Sequence, residues 1–104
     1  MASIRPKGNV ITYAAAKAGV NAMTEAMGDA LGPIVRVNCI MPGPFLTDIA
    51  DAWDMDDFNA RAAERIALQR GGQPDEVVGA ALYLASDHAG YTTGAIIRID
   101  GGSH

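Results

Sequence analysis

Cysteine is nearly absent from this chain, and its single occurrence limits both crosslinking and metal chemistry. Cys39 is the only cysteine among 104 residues, so no disulfide can form within the chain. It lies in an apolar run typical of a strand, which predicts a buried, inert thiol rather than a nucleophile. His88 and His104 offer no metal-ligand spacing with it. The sequence therefore predicts no metal site.

Basic residues and long apolar runs are also scarce. Eight Lys and Arg against twelve Asp and Glu give a net charge of −4, and the basic residues are scattered, which argues against nucleic acid or an anionic membrane as a partner. No apolar run approaches the roughly 20 residues that span a bilayer, and the N-terminal residues lack the apolar region of a signal peptide. We therefore expect a cytoplasmic protein of one domain or less.

The first long apolar pattern predicts a helix. Residues 1–11 are expected to be irregular and Thr12 is a candidate N-cap. The helix should run to about Leu31, because Gly32 suits a helix C-terminus and Pro33 cannot continue one. One face of this helix carries small or flexible side chains, at Ala15, Gly19, Met23 and Met27. That face can pack closely on another helix, either in the core or at a subunit interface.

Two predicted strands are separated by a long crossover. Apolar, β-branched runs predict strands over residues 34–41 and 95–99, and a proline followed by two carboxylates at 74–76 predicts the start of a helix that reaches about residue 86. A strand, a crossover with helices and a second strand suggest a right-handed parallel βαβ unit. Because two strands leave a sheet edge unpaired, we expect the back part of a larger α/β domain.

An acidic segment with interspersed aromatic residues lies between these strands. Residues 48–72 combine six carboxylates with Trp53, Met55 and Phe58, followed by three arginines. The pattern predicts one or two short amphipathic helices on the surface. The acidic run is either a solvated face or part of a lid whose aromatic side chains touch a ligand.

Tyr13 and Lys17 place a phenol and an ammonium four residues apart within the first predicted helix. At that spacing both side chains leave the same face. A nearby cation favours the phenolate and moves the pKa of Tyr13 down from its ordinary value of about 10, so that Tyr13 could exchange a proton with a substrate oxygen. A half-buried Tyr beside a Lys whose stem covers apolar surface is the alternative, and the spacing alone does not separate the two.

Several short motifs follow this pair in order along the chain. They are Arg36-Val37-Asn38, Pro42-Gly43-Pro44-Phe45-Leu46-Thr47, Pro74-Asp75-Glu76, Leu84-Ala85-Ser86-Asp87, Thr93-Gly94 and Asp100-Gly101-Gly102. With Tyr13-x-x-x-Lys17 they resemble the C-terminal part of the classical short-chain dehydrogenase/reductase family. The resemblance implies an α/β fold, the C-terminal portion of a Rossmann-type doubly wound parallel sheet. Residues 1–104 would then be a partial NAD(P)-binding domain, with 48–72 as a lid on the substrate side.

The resemblance also implies roles for individual residues. Tyr13 would be the general acid in carbonyl reduction and the general base in alcohol oxidation. Lys17 would lower the pKa of Tyr13 and hydrogen-bond the ribose of NAD or NADP. The other implied cofactor-binding residues are Pro42, Gly43, Pro44, Phe45 and Thr47. A strand-ending turn is the alternative for Pro42 and Gly43, and an N-cap for Thr47. Asp100-Gly101-Gly102 is expected to form a tight turn.

Parts of the family pattern are missing from these residues. No Gly-x-Gly-x-x-Gly cluster is present to bind a pyrophosphate at a helix N-terminus. Ser3 is the only candidate for the catalytic serine of the family and is expected to be too close to Tyr13 to serve. Asn9 and Asn21 do not occupy the place of the asparagine that completes the proton relay of the family.

Two hypotheses about function follow from the resemblance. In the first, the chain belongs to an oxidoreductase that transfers hydride between NAD(P)(H) and a small-molecule alcohol or carbonyl substrate, as a homo-oligomeric dimer or tetramer when complete. The four-residue Tyr–Lys spacing favours carbonyl–alcohol chemistry, since the enoyl reductase branch generally has a wider one. In the second, the chain is a non-catalytic remnant or an interaction module. The retained Tyr13 and Lys17 favour the enzyme, whereas the missing glycine-rich loop and serine favour the module.

Overall fold

The computed structural model describes residues 8–103, with the side chain of Ile49 excepted. The expected irregular backbone of residues 1–11 therefore lies partly outside the described residues. From Gly8 to Val10 the chain forms a short 3-10 helix, which leads directly into the first α-helix.

The first helix, α1, spans Ile11–Leu31 and ends where the sequence predicted. Thr12 is not its N-cap: the preceding 3-10 helix makes Val10 the capping position, so Thr12 is already helical. Gly32 has an extended backbone, with φ −65° and ψ 149°. An extended conformation is what a following proline imposes on the residue before it, which explains why Gly32 does not adopt the left-handed form.

Only a narrow face of α1 is buried. Ala14, Thr24 and Gly28 face the rest of the chain. At Gly28 the contact is close, because a Cβ added there would lie 2.7 Å from the amide nitrogen of Gly94. The face expected to pack closely is instead exposed, at Ala15, Gly19, Met23 and Met27. Core packing by that face is therefore wrong for the described part of the chain, while its use as a subunit interface stays a prediction.

Two short parallel strands form the sheet, as predicted. β1 spans Cys39–Pro42 and β2 spans Ile96–Ile99, with Cys39 opposite Ile96 and Pro42 opposite Ile99. The first strand begins five residues later than the 34–41 prediction, because a ladder exists only where a partner strand runs alongside. Gly94, with φ +70°, lies in the turn just before β2 and limits how far the ladder can extend.

The residues before β1 form no strand ladder; a backbone bond, from the amide of Gly94 to the carbonyl oxygen of Val37 at 2.7 Å, and several side-chain bonds hold them. Arg36 donates from Nη2 to the carbonyl oxygen of Leu84 at 3.0 Å, near the end of the helix before β2. Asn38 donates from Nδ2 to the carbonyl oxygen of Thr92 at 2.9 Å, and its Oδ1 accepts from the amide of Ala95 at 3.0 Å. Asn38 therefore ties the entry of β1 to the entry of β2.

We expect Asn38→Ala to lower the free energy of unfolding by about 1 kcal/mol, because two hydrogen bonds between these entries are lost. Urea unfolding of the variant and the wild type measures the difference. Asn38→Asp is the informative control, since it keeps the acceptor for Ala95 and loses the donor to Thr92. Equal stability of all three proteins would show that the bonds do not support the strand entries.

The crossover contains the short helices that the sequence predicted. A 3-10 helix spans Asp48–Ala52 and α2 spans Met55–Arg65. The Asp54 carboxylate caps α2 by accepting from the amides of Asp56 and Asp57, at 3.0 and 3.1 Å. A further 3-10 helix, Pro74–Val77, leads into α3, which spans Val78–Ala85. No helix in residues 8–103 is long and apolar enough to cross a membrane.

The apolar core of the described chain is small. Most of its buried apolar residues are alanines, and none of the described large side chains is completely buried. Many larger apolar side chains lie at the surface, including Ile11, Met23, Ile34, Leu68, Leu82 and Tyr91. So much exposed apolar surface is typical of regions that contact another chain or domain.

Candidate active site

Tyr13 and Lys17 lie one turn apart near the start of α1. The Lys17 ammonium nitrogen is 5.5 Å from the centroid of the Tyr13 ring, within range of a cation–π contact. Tyr13 is 57% exposed, and Lys17 forms no ion pair with any residue in 8–103. The predicted pair is therefore adjacent and accessible.

A cleft of about 170 Å³ brings this pair against the edge of β1. It is lined from α1 by Tyr13, Lys17, Val20 and Asn21, and from β1 by Cys39, Ile40, Met41 and Pro42. Ligands of open α/β sheets bind outside the carboxyl ends of the strands, and Pro42 is that end of β1. Cys39 is half-buried in this cleft, which corrects the expectation of a buried thiol.

Asn21 is the residue of this cleft that sequence reasoning missed. It lies four residues after Lys17, as Lys17 does after Tyr13, so all three side chains leave α1 on the same side. That spacing was the available signal. Asn9 is exposed in the 3-10 helix before α1 and does not line the cleft. Ser3 lies outside the described residues.

The turn after β1 is pinned to the end of β2. The amide of Gly43 donates to the carbonyl oxygen of Ile99 at 2.8 Å. A Cβ added to Gly43 would lie 2.7 Å from both Cα and Cβ of Asp100, so only glycine fits there. The predicted tight turn at Asp100-Gly101-Gly102 is present, with φ +64° at Gly101 and +74° at Gly102.

The Asp100 carboxylate is the polar centre of that turn. Its side chain is 7% exposed; it accepts from Arg98 Nη2 at 2.6 Å and from the amide of Gly102 at 3.0 Å. Burial opposes ionisation, but these hydrogen bonds and the Arg98 charge together outweigh it and lower the pKa of Asp100. The Asp100–Arg98 ion pair therefore fixes the turn that packs against Gly43.

Residues 44–47 leave this turn along Gly72. The amide of Gly72 donates to the carbonyl oxygen of Pro44 at 3.0 Å, and the amide of Leu46 donates to that of Gly72 at 2.8 Å. Within residues 8–103 the amide of Phe45 has no acceptor. Thr47 is exposed, and its hydroxyl does not cap the following 3-10 helix, so the N-cap alternative for its side chain is wrong.

The structure brings some of the predicted residues together and leaves others apart. Tyr13, Lys17 and Pro42 share the cleft. The other four predicted residues do not line this cleft. Pro44 and Phe45 line a second cavity, Thr47 lines a third, and Gly43 lines neither of these. No cluster of metal-ligating side chains occurs in the described part of the chain.

A bidentate ion pair lies close to this segment. Arg70 donates from Nη2 to Glu76 Oε1 and from Nη1 to Glu76 Oε2, both at 2.7 Å. Glu76 Oε2 also accepts from the amide of Gln73 at 2.7 Å. The hydrogen bonds from Arg70, and then that from Gln73, lower the pKa of Glu76 to about 2. The sequence pattern predicts Glu76 at a helix start and gives no partner for its carboxylate.

This pair should make stability depend on pH in the acid range. The pKa of Glu76 falls from 4.5 to about 2 on folding, so its contribution is complete above pH 4.5 and is lost as the pH falls to about 2. We expect Glu76→Gln to be less stable than wild type at neutral pH and to converge with it at the acid end. Urea unfolding as a function of pH tests this, at low salt because the pair is exposed.

Asp75→Asn is the matched control for that measurement. Asp75 lies in the same first turn and is exposed, and its carboxylate has no hydrogen bond or ion pair in residues 8–103. Its removal should leave the pH profile unchanged. A constant difference between Glu76→Gln and wild type from pH 7 to pH 2 would contradict the prediction.

Comparison with known proteins supplies the family. Residues 1–104 match the model of a protein family described as Enoyl-(Acyl carrier protein) reductase. L-xylulose reductase of Caenorhabditis elegans is 38% identical over 103 residues, which cover 97% of this chain and 41% of that protein. L-rhamnose 1-dehydrogenase (NAD(P)(+)) of Azotobacter vinelandii is 40% identical over 93 residues, covering 86% of this chain and 36% of that protein.

A solved structure extends the likeness to the fold. A 7α-hydroxysteroid dehydrogenase complexed with NADH and 7-oxo glycochenodeoxycholic acid superposes with a TM-score of 0.89 at 32% identity, covering 99% of this chain and 41% of that one. The chain thus spans 36–41% of the length of these three relatives. The superposition confirms the Rossmann-type α/β class. Because the family model matches residues 1–104, this chain belongs to the classical short-chain dehydrogenase/reductase family.

Proposed function

We propose that these residues form the proton-transfer part of an NAD(P)(H)-dependent oxidoreductase that interconverts a carbonyl and an alcohol. The observation that carries the proposal is the cleft in which Tyr13 and Lys17 of α1 face the carboxyl end of β1 at Pro42. Carbonyl reduction needs a proton donor and a cation that stabilises the donor after it has lost its proton. Both must lie next to the bound dinucleotide, at the carboxyl end of a strand.

Tyr13 exchanges the proton in this proposal. A nicotinamide dinucleotide, when bound, supplies or accepts the hydride at the substrate carbon. In reduction the Tyr13 hydroxyl donates its proton to the carbonyl oxygen, which leaves a negative charge on the Tyr13 oxygen. Lys17 stabilises that charge, since its ammonium lies next to the same ring. In alcohol oxidation the proton returns to Tyr13.

Other residues of the chain suit a dinucleotide. Lys17 has no ion pair among the described residues and can donate to ribose hydroxyls. The amide of Phe45, which has no acceptor within residues 8–103, can donate to a carboxamide oxygen. The hydroxyl of Thr47 does not cap the following helix and can hydrogen-bond a phosphate or a carboxamide. The turn at Pro42, Gly43 and Pro44 sets where these groups lie. We include all seven predicted residues in the cofactor and catalytic site.

Carbonyl–alcohol chemistry is preferred over reduction of a carbon–carbon double bond. The matched family model carries the name of an enoyl reductase. The four-residue Tyr13–Lys17 spacing and the names of the two relatives, a xylulose reductase and a rhamnose dehydrogenase, favour the carbonyl reaction for this chain. An enoyl thioester is therefore the second substrate to test.

Two further parts of the proposal concern the surface. Residues 48–72 act as the substrate-side lid, with the Trp53 and Phe58 rings 5.1 Å apart as its aromatic contact surface. The exposed α1 face that includes Met23 and Met27 forms part of a homo-oligomer interface, because it is apolar and both methionines are exposed in the described chain. The substrate is a small molecule.

The test is hydride transfer by the completed enzyme, which we define as residues 1–104 preceded by the N-terminal part of the matched L-xylulose reductase. We expect oxidation of NADH or NADPH with a panel of ketones and sugars, followed by the loss of absorbance of the reduced nicotinamide. The isolated 104-residue chain should bind the dinucleotide weakly or not at all by calorimetry, since it has no glycine-rich pyrophosphate loop.

Each result separates the two hypotheses. Turnover of ketones by the completed enzyme supports the oxidoreductase. If the completed enzyme turns over an enoyl thioester but no ketone, the substrate would be the enoyl thioester and not a carbonyl compound. A folded completed enzyme that binds dinucleotide and turns over neither substrate would favour the interaction module.

A further inference from the structure

The segment after the lid is joined to the cofactor-side turn through backbone bonds. Gly72 exchanges two main-chain hydrogen bonds with residues 44–46, from its own amide to Pro44 and from Leu46 to its carbonyl oxygen. The Phe45 ring lies against Gly72, where an added Cβ would be 2.9 Å from a ring carbon. The position of the Phe45 backbone and ring therefore depends on the position of Gly72.

Arg70 and Glu76 set the place of Gly72 in turn. Besides its two bonds to Glu76, Arg70 Nη1 donates to the carbonyl oxygen of Gly71 at 3.0 Å. Glu76 receives the amide of Gln73, and the amide of Glu76 returns a bond to the Gln73 carbonyl oxygen at 2.9 Å. The ion pair thus closes residues 70–76 into a loop that presents Gly72 to Phe45.

Side-chain packing does not replace this link. A small cavity of about 80 Å³ separates the ion pair from the turn; Pro44, Phe45, Arg70, Glu76 and Asp100 all line it. Because no described side chain occupies this space, the orientation of the turn relative to the 70–76 loop depends on the hydrogen bonds at Gly72 and on the contact of the Phe45 ring with Gly72. A change in the loop is therefore transmitted to Phe45 and not absorbed by a packed core.

The geometry of the pair suits positioning better than stabilisation. The Arg70 and Glu76 side chains are 51% and 39% exposed, and exposed pairs add little to global stability. A planar guanidinium on a carboxylate, joined by two parallel bonds, nevertheless fixes the relative orientation of both backbones, which a lysine could not do.

We propose that Arg70 and Glu76 are positioning residues for the cofactor-binding turn, holding Gly72 so that Phe45 and Thr47 meet the nicotinamide end of the dinucleotide. This inference rests on the proposed function for the identity of the ligand. Arg70 and Glu76 act through Gly72 and do not themselves touch the cofactor. Their loss loosens residues 44–47 without removing any group that reacts.

The test uses Arg70→Gln, Arg70→Lys and Glu76→Gln in the completed enzyme, with Asp75→Asn as the control. We expect the three variants to raise the dissociation constant and KM for the dinucleotide by about tenfold, since a displaced binding segment loses part of its contacts. The kcat at saturating dinucleotide should stay near wild type, and the melting temperature should fall only slightly, since an exposed ion pair adds little to global stability. Asp75→Asn should match wild type throughout.

Amide hydrogen exchange supplies a readout that needs neither turnover nor cofactor. The amides of Leu46 and Gly72 should exchange faster in Arg70→Gln and Glu76→Gln than in wild type, while the amide of Cys39, bonded to Ala95 at 2.8 Å, should not change. Unchanged exchange at Leu46 and Gly72 would overturn the inference. A general loss of protection at all three sites would also overturn it, by showing a merely structural role.

The outcomes separate this inference from the proposed function. Variants that bind dinucleotide as tightly as wild type, in an enzyme that turns over ketones, refute the positioning role alone. Weaker dinucleotide binding and faster local exchange in the variants of a protein without turnover refute the carbonyl chemistry and retain the positioning role.

Discussion

Tyr13→Phe is expected to abolish turnover of the completed enzyme while leaving dinucleotide affinity nearly intact. The change removes only the hydroxyl that exchanges the proton, and loss of a general acid or base lowers the rate by about 10²–10⁴-fold. The ring remains for the contact with Lys17, whose ammonium lies 5.5 Å from its centroid. The fall should therefore appear in kcat, with the dissociation constant for NAD(P)H measured separately by calorimetry.

Tyr91→Phe is the matched control. Tyr91 is fully exposed in the loop before β2 and lines none of the cavities described here, so the same loss of a phenolic hydroxyl should leave kcat unchanged. A Tyr13→Phe enzyme with kcat comparable to wild type would remove Tyr13 from its assigned role. A parallel fall in the Tyr91→Phe enzyme would instead indicate damage unrelated to proton transfer.

Gly28→Ala should cost about 3 kcal/mol of folding stability, because the new methyl group has no space. It would lie 2.7 Å from the amide nitrogen and 2.8 Å from Cα of Gly94, and 3.1 Å from the Thr93 hydroxyl oxygen. Two of these are backbone atoms at the entry of β2, so the helix or the strand must move. Urea unfolding of the completed enzyme measures the loss.

Gly19→Ala on the same helix is expected to have the opposite sign. Within one chain an added Cβ at Gly19 meets nothing within 4 Å, so in the monomer only the helix propensity changes, which favours alanine by about 1 kcal/mol. The pair separates close packing from propensity within one element. Equal stabilisation by both substitutions would show that α1 does not pack against the Thr93–Gly94 turn as described.

The sequence predicted the ends of helices correctly where those ends depend on adjacent glycine, proline or acidic residues. The end of α1 at Leu31 followed from Gly32 and Pro33, and the helix start at Pro74 followed from the residues around it. The prediction was wrong at Thr12, because the 3-10 helix from Gly8 to Val10 shifts the start of α1.

Errors arose where an element depends on a distant partner. Residues 34–38 have strand-like composition but no ladder, since β2 begins only at Ile96 and its partner is Cys39. The apolar pattern of α1 marked the face at Met23 and Met27, whereas the buried face is the one that Gly28 presents to Gly94.

The sequence by itself determined the order of the elements, the α/β class, the family resemblance and the Tyr13–Lys17 pair, because each depends on residues close together in the chain or on motif order. Only the tertiary structure decided that Cys39 shares a cleft with that pair, that Gly43 is pressed against Asp100, and that Arg70 and Glu76 close a loop onto Phe45. These contacts join segments far apart in sequence, and their geometry follows from the parallel register of two strands and from the backbone bonds at Gly72, which no local pattern encodes.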